Sequence, residues 1–267
     1  MVSNAKSFFN KANWVLAFGL SISSTQMVKA ELVELSQAKN SVDRIEQLTQ
    51  TLSDGTYSTE ANDLYRDSNI ILRSTQNEDS AVIVKPEDYA KLKIKPIFSD
   101  SRVVYLAKDD VYFEIKNFPN NISMYYNIDN NYAIVLDNDN EKPYENSWKV
   151  SCSRDSITDE KSCVMGKFAL GIIKSSKSGT MLTVSSDIKK LNLYKFSYIR
   201  IDKNQHHKTK GIFLQNSATK IINQMRVGET AFTRFNEWDG EEYEEVISLW
   251  GFSVAYDLMG KMYNRLK

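Results

Sequence analysis

From residue 70 to residue 252 the chain is a succession of short apolar runs separated by clusters of Asn, Asp, Pro, Gly and Ser. That rhythm points to β-strands joined by short connections. Runs at 70–73, 81–84, 103–106, 111–115, 122–126 and 132–136 predict the strands of a first module. They are broken at turn-rich pieces such as Asn117-Phe118-Pro119-Asn120-Asn121 and Asp129-Asn130-Asn131. One helical interruption is expected at 86–92, where Pro86 occupies the first turn and Glu87 and Asp88 suit its dipole. The run 137–143 is the most polar stretch between two apolar ones and predicts a module boundary. Its carboxylates invite a calcium reading, but the loop lacks the Gly and distal Glu of a helix-loop-helix calcium site, and a solvated linker is expected instead.

Beyond that boundary, Trp148, Val150 and Cys152 alternate with Lys149 and Ser151, the period of a half-buried strand. Residues 164–173 predict one nearly continuous apolar strand with Gly166 and Gly171 marking bulges. Further strands are expected at 181–185, 195–201, 211–214 and 231–235, and a short helix at 217–225. After the apolar run 246–252 a closing helix is predicted with Phe252, Ala255, Leu258, Met259, Met262 and Leu266 inward, and Lys261, Arg265 and Lys267 near its end. At the other end, Leu32, Leu35, Ala38, Val42, Ile45, Leu48 and Leu52 make one helical stripe over 31–53, closed by Asp54-Gly55. Packing of that helix on its own domain is expected, with oligomerisation through Leu35, Val42, Ile45 and Leu52 as the alternative. The fold class is therefore α+β, mainly β: an N-terminal helix, a β-rich module at 54–145, and a second domain at 146–267.

Residues 1–30 have the three-part layout of a secretory signal. Lys6 and Lys11 precede the apolar stretch 14–22, no acid occurs before Glu31, and Val28-Lys29-Ala30 offers small side chains for cleavage near Ala30. The apolar stretch is far shorter than the roughly 20 residues of a spanning helix, so no integral membrane span is expected after cleavage. The full chain carries 34 basic and 34 acidic residues. Losing Lys6, Lys11 and Lys29 and no acid leaves a net charge of −3, which argues against nucleic acid as a partner. A periplasmic or secreted location gives the two cysteines a meaning, because in an oxidising compartment a close pair forms a bridge. Cys152 and Cys163 flank the turn formers Asp155, Ser156, Thr158 and Asp159, which predicts a disulfide across one hairpin, with Trp148 on the same face as Cys152.

Most catalytic chemistries find no support. A Cys nucleophile or a Ser-His-Asp arrangement would have to use His206 or His207, which lie together in the polar run 202–210. No Gly-x-Ser-x-Gly and no phosphate-binding Gly loop occurs. Adjacent residues of a strand point to opposite faces, so the two His cannot chelate one ion there, and Lys203, Lys208 and Lys210 repel cations. No catalytic residue, metal or cofactor is expected. Paired carboxylates for glycoside cleavage are defined by distance in space, and Glu241, Glu242, Glu244 and Glu245 form the densest acidic cluster. With Trp238 and Tyr243 interleaved, the residues Trp238, Glu241, Tyr243 and Glu244 are the candidate binding positions; the competing reading is a surface β-loop.

The second domain resembles the invasion-associated locus B family of exported bacterial proteins. The likeness is carried by Trp148-Lys149-Val150-Ser151-Cys152 with Cys163, by Ile199-Arg200-Ile201-Asp202, and by Ile247-Ser248-Leu249-Trp250-Gly251-Phe252-Ser253-Val254-Ala255. The family's further cysteines are missing, and residues 31–145 have no counterpart. The resemblance implies a small β-sandwich-like domain closed by a C-terminal helix, exported, without known catalytic residues. From the residues themselves, Trp148 and Trp250 are expected to fill a small core, and Gly251 to permit a tight strand-to-helix corner. The leading functional expectation is an exported, non-enzymatic envelope protein acting by binding or surface interaction. The alternatives are an exported hydrolase using the acidic cluster on glycans, and an accessory subunit of a secretion or envelope assembly.

Overall fold

The computed structural model describes residues 81–106, 111–142, 145–185 and 190–266. The signal-like segment 1–30, the helix expected at 31–53 and the strand at 70–73 lie outside the described residues. Contacts divide the chain into two compact units, with the division between Ala133 and Ile134, ahead of the polar run 137–143. The fold is mainly β, built of antiparallel sheets with few helices.

In the first unit, strands β1 (Ala81–Val84), β2 (Arg102–Leu106), β3 (Val111–Phe118) and β4 (Ile122–Asn127) pair in sequence order, each antiparallel to the next. Val84, Ile94, Val103 and Tyr105 form a buried cluster, with Tyr89, Leu92 and Tyr112 packed against it. The turns follow their chemistry. Asn120 and Asn121 take the left-handed backbone between β3 and β4, and the Asn127 side chain accepts the main-chain N–H groups of Asp129 and Asn130 at 3.1 Å each. The helix expected at 86–92 is only a 3-10 turn, Pro86–Asp88. It gives way to irregular turns up to Lys93, whose φ of 58° is left-handed backbone that a right-handed helix does not continue through. The fully buried Glu114 carboxylate holds the next loop, accepting the N–H of Ile97 at 2.5 Å, the N–H of Phe98 at 2.7 Å and the Ser101 hydroxyl at 2.8 Å.

Strand β5 (Tyr132–Asp137) crosses the division. The second unit continues with β6 (Trp148–Arg154), β7 (Lys161–Lys167), β8 (Leu170–Ser175) and β9 (Gly179–Val184), then β10 (Phe196–Ile201), β11 (His207–Lys210) and β12 (Phe213–Leu214). Helix α1 (Gln215–Met225), β13 (Thr230–Asn236), β14 (Glu242–Ser248) and helix α2 (Phe252–Arg265) complete it. One sheet has the order β5-β6-β7-β8-β9-β12 and the other β11-β10-β13-β14. The apolar run 164–173 is not one strand. Phe168, at φ 52°, turns the chain between β7 and β8, and Gly166 faces Gly171 across the hairpin. The run 207–210, expected in a polar loop, is an edge strand paired with β10.

The core of this unit follows from strand alternation. Val150, Met165, Ile172, Leu182 and Phe213 form one cross-strand row, all at most 2% exposed. Helix α2 packs on β6 and β7, burying Phe252, Ala255, Leu258, Met259 and Met262. Helix α1 packs on β9 and β12 through Ala218, Ile221, Ile222 and Met225. From the four-stranded sheet, Ile199, Ile201, Ala231, Phe235 and Ile247 are buried. Trp148 is 1% exposed, meets Phe252 edge-on at 5.2 Å, and donates its indole N–H to the Trp250 carbonyl at 2.9 Å. Trp250 itself is 41% exposed; it supplies a carbonyl rather than core volume, because the corner that buries Phe252 turns its side chain outward.

Cys152 and Cys163 sit directly opposite in the β6–β7 register and form a disulfide with Cα atoms 4.0 Å apart. Both are buried on the Trp148 side of the sheet. Closing so short a loop restricts the unfolded chain by about 3 kcal/mol in the entropic account. Replacing Cys152 by Ser should therefore lower the unfolding free energy of this unit by about 2–4 kcal/mol and open it to limited proteolysis; unchanged resistance would contradict that role. Lys167, 2% exposed, holds its ammonium 5.7 Å from the Trp148 ring centre. Burial pushes its pKa down to about 8, against the opposing pull of Asp137. The unfolded chain then binds more protons than the folded one between about pH 8 and the ordinary Lys value, so stability rises with pH across that window. Lys167→Met should stabilise the protein by about 1–3 kcal/mol at pH 7 and flatten that rise, as read from urea unfolding between pH 7 and 10.

Candidate functional site

Alternation along the four-stranded sheet sends one set of side chains into the core and leaves the other on an open face. Register assembles that outer face in rows. Lys208 lies beside Tyr198, Arg234 and Glu244 in one row, and Arg200, Phe232 and Val246 make the next. Lys210 is opposite Phe196. Val246 is 70% exposed and Phe196 39%.

The charges on this face are divided. On the β13–β14 side, the Arg234 guanidinium donates to Glu244 and lies 3.8 Å from Glu242; the Glu244 hydrogen bond raises its pKa further. On the β10–β11 side the cations sit on rings instead. The Lys208 and Lys210 ammoniums lie 5.0 and 5.3 Å from the centre of the one Phe196 ring, and the Arg200 guanidinium 4.6 Å from that of Phe232. Among the described residues no carboxylate pairs with Lys208, Lys210 or Arg200. Such cation–ring contacts orient the charges while leaving them in water.

An aromatic pair lies at one end of this sheet. Trp238 is 54% and Tyr194 76% exposed, meeting edge to face at 5.5 Å, with the exposed Leu193 beside Tyr194 in the chain. Main-chain bonds hold both segments. The Trp238 N–H donates to the Lys190 carbonyl and the Asn192 N–H to the Asn236 carbonyl, each at 2.8 Å, and Leu191 bridges Glu237. The Lys195 ammonium donates to the Asn236 side chain at 3.2 Å. The pair is thus presented on a fixed backbone.

The four candidate positions read from the sequence separate. Trp238 belongs to this exposed pair. Glu241 accepts the Tyr243 hydroxyl at 2.7 Å, which pushes the phenol pKa up, and the Tyr243 ring stacks on the buried Phe235 at 5.4 Å. Glu244 lies on the outer face with Arg234. Glu245, one residue on, points inward, accepts the Ala169 N–H at 2.9 Å, and has its pKa raised by burial. The expected surface loop at these acids is strand β14, so its carboxylates are dealt to opposite faces. His206 packs near Tyr198 at 5.9 Å, while His207 bonds Gln224 of α1 at 3.1 Å. Among the described residues no group of three His, Cys, Asp or Glu is placed to hold a metal ion, and no helix is long and apolar enough to cross a membrane.

Sequence reasoning did not single out Tyr194 and Phe196, and Lys208 and Lys210 entered it only as charges that repel a metal cation. The only available signal was the alternation of Lys208 and Lys210 with Thr209, which reads as a solvated loop until its partner strand is known.

The fold defines a class, a mainly β α+β protein of antiparallel sheets with a C-terminal helix. No family model matches the chain, and no curated protein matches it. Among solved structures it bears a distant resemblance to the crystal structure of invasion associated protein B from Bartonella henselae, at 11% identity and a TM-score of 0.27, over 51% of this chain and 96% of that one.

Because Tyr194 and Trp238 are largely exposed, truncating either to Ala should change unfolding free energy by less than about 1 kcal/mol. A loss above about 2 kcal/mol in urea unfolding would mark the pair as structural instead.

Proposed function

We propose that this chain is an exported, non-enzymatic protein of a bacterial envelope that acts by binding, through the outer face of its four-stranded sheet. The observation that carries the reading is the Tyr194–Trp238 pair, exposed in water yet held by main-chain bonds beside a face of ring-mounted cations. Exposed aromatics adjoining one another on a fixed backbone are expensive to keep in water and characterise recognition surfaces. Export is supported by the signal-like segment 1–30 and by a disulfide, which persists in oxidising compartments. The bacterial envelope is favoured by the resemblance that residues 148–152 and 247–255 carry.

Binding is preferred to glycan hydrolysis on geometry. Cleavage needs two carboxyl groups flanking one bond, whereas Glu242 and Glu244 share Arg234 on one face and Glu245 bonds Ala169 on the other. The accessory-subunit reading rests on Leu35, Val42, Ile45 and Leu52, outside the described residues.

The test uses purified protein matured at Glu31 and washed bacterial envelopes. The unsubstituted protein should sediment with the envelopes, and the Tyr194→Ala/Trp238→Ala double variant should stay in the supernatant. Equal sedimentation of both, or of neither, would contradict the reading.

A further inference from the structure

The outer face carries more information than the presence of a binding surface, because its charges are unevenly answered. Arg234 is neutralised by Glu242 and Glu244 on the β13–β14 side. Lys208, Lys210 and Arg200 on the β10–β11 side have no carboxylate partner among the described residues. Two ammoniums share a single half-exposed ring, Phe196, and repel one another there. An anion placed between them would relieve that repulsion and make charge-assisted hydrogen bonds to both. Alternate residues on one face of a strand stand roughly 6.6 Å apart, so Lys208 and Lys210 form a short row along β11. Tyr194 stands two residues before Phe196, so the Tyr194–Trp238 pair lies beyond the end of β10 that faces Lys210.

We propose, building on the binding reading above, that this face takes an anionic polysaccharide. The Tyr194–Trp238 pair receives the apolar face of one sugar ring, and Lys208, Lys210 and Arg200 receive the carboxylates or phosphates of its neighbours. Three features favour this ligand over other polyanions. The rings of Phe196 and Phe232 are already faced by cations, so they offer no platform for successive nucleobases, which single-strand binders need. Glu242 and Glu244 stand exposed on the same face and would be pressed against the charges of a flat anionic membrane, while a narrow polymer following β10 and β11 avoids them. The mature chain's net negative charge opposes polyanions that rely on a broad positive field, but not a ligand read by a few placed cations and two exposed rings.

The experiment titrates the intact mature protein with alginate oligosaccharides, neutral dextran oligosaccharides of the same length, oligo-dT and phosphatidylglycerol vesicles, at two salt concentrations. Alginate should bind at least about tenfold more tightly than dextran, with an affinity that falls as salt rises. The Lys208→Gln/Lys210→Gln variant should lose about tenfold for alginate and most of that salt dependence, leaving dextran binding unchanged. The Tyr194→Ala/Trp238→Ala variant should lose both sugars. Equal binding of alginate and dextran, indifferent to the lysine changes, would overturn the anionic ligand while leaving a sugar-binding face intact. Tighter binding of oligo-dT or vesicles than of alginate, or no binding of any probe while envelopes are still sedimented, would overturn the polysaccharide assignment. Failure to bind the probes and the envelopes alike would remove the binding reading itself.

Discussion

The Trp148 indole donates its N–H to the carbonyl of Trp250, 102 residues further on, while its ring meets Phe252 at the first turn of α2. This side chain ties the start of β6 to the corner where β14 ends and α2 begins. The corner is possible because Gly251 takes φ 78°, a conformation costly for other residues. A Cβ there would meet the Val135 side chain at 3.4 Å and Trp148 at 3.6 Å, ordinary contact distances, so it is the backbone angle that selects glycine. With α2 seated on β6 and β7, the β6–β7 end of the apolar row is covered, and β14 takes the edge of the second sheet.

The open face follows from that closure. Once Ile199, Ile201, Ala231, Phe235 and Ile247 are committed to the core, period-2 alternation leaves Phe196, Arg200, Lys208, Arg234 and Val246 no choice but the outside. A second fixed point secures the other end of the sheet. The Asp202 carboxylate accepts the N–H groups of Glu229 and Thr230, the latter at 2.8 Å, and Gly228 lets Ile201 and Asp202 approach where any side chain would collide. The face is therefore a rigid consequence of the core, and its two edge strands, charged along their length, resist pairing with other chains.

Much of this was legible in the residues. The alternation at Trp148-Lys149-Val150-Ser151-Cys152 revealed β6, the two cysteines announced their hairpin, and the spacing from Phe252 to Met262 marked α2. The β7–β8 hairpin was hidden because its turn, Lys167-Phe168-Ala169, contains no Gly, Asn or Pro. Strand β11 was hidden because an edge strand with no apolar residue has no periodic signature; its pairing with β10 is a tertiary fact. Of the functional candidates, Trp238 lies exposed at one end of the four-stranded sheet, against Tyr194. Glu241 and Tyr243 were separated from Glu244 because a strand, where a loop was expected, sends neighbours to opposite sides. The cations on Phe196 come from a different strand than the ring itself, a juxtaposition that spacing alone does not encode.

Two tryptophans have opposite roles: Trp148 is the buried tie, and Trp238 belongs to the proposed binding surface. Nuclear magnetic resonance of protein labelled with isotope at tryptophan reads both at once, through the indole N–H signals during titration with alginate oligosaccharides. The Trp238 signal should move with ligand, while the Trp148 signal stays in place and survives transfer to heavy water. A Trp148 signal that exchanges at once, or that moves while Trp238 stands still, would contradict these roles.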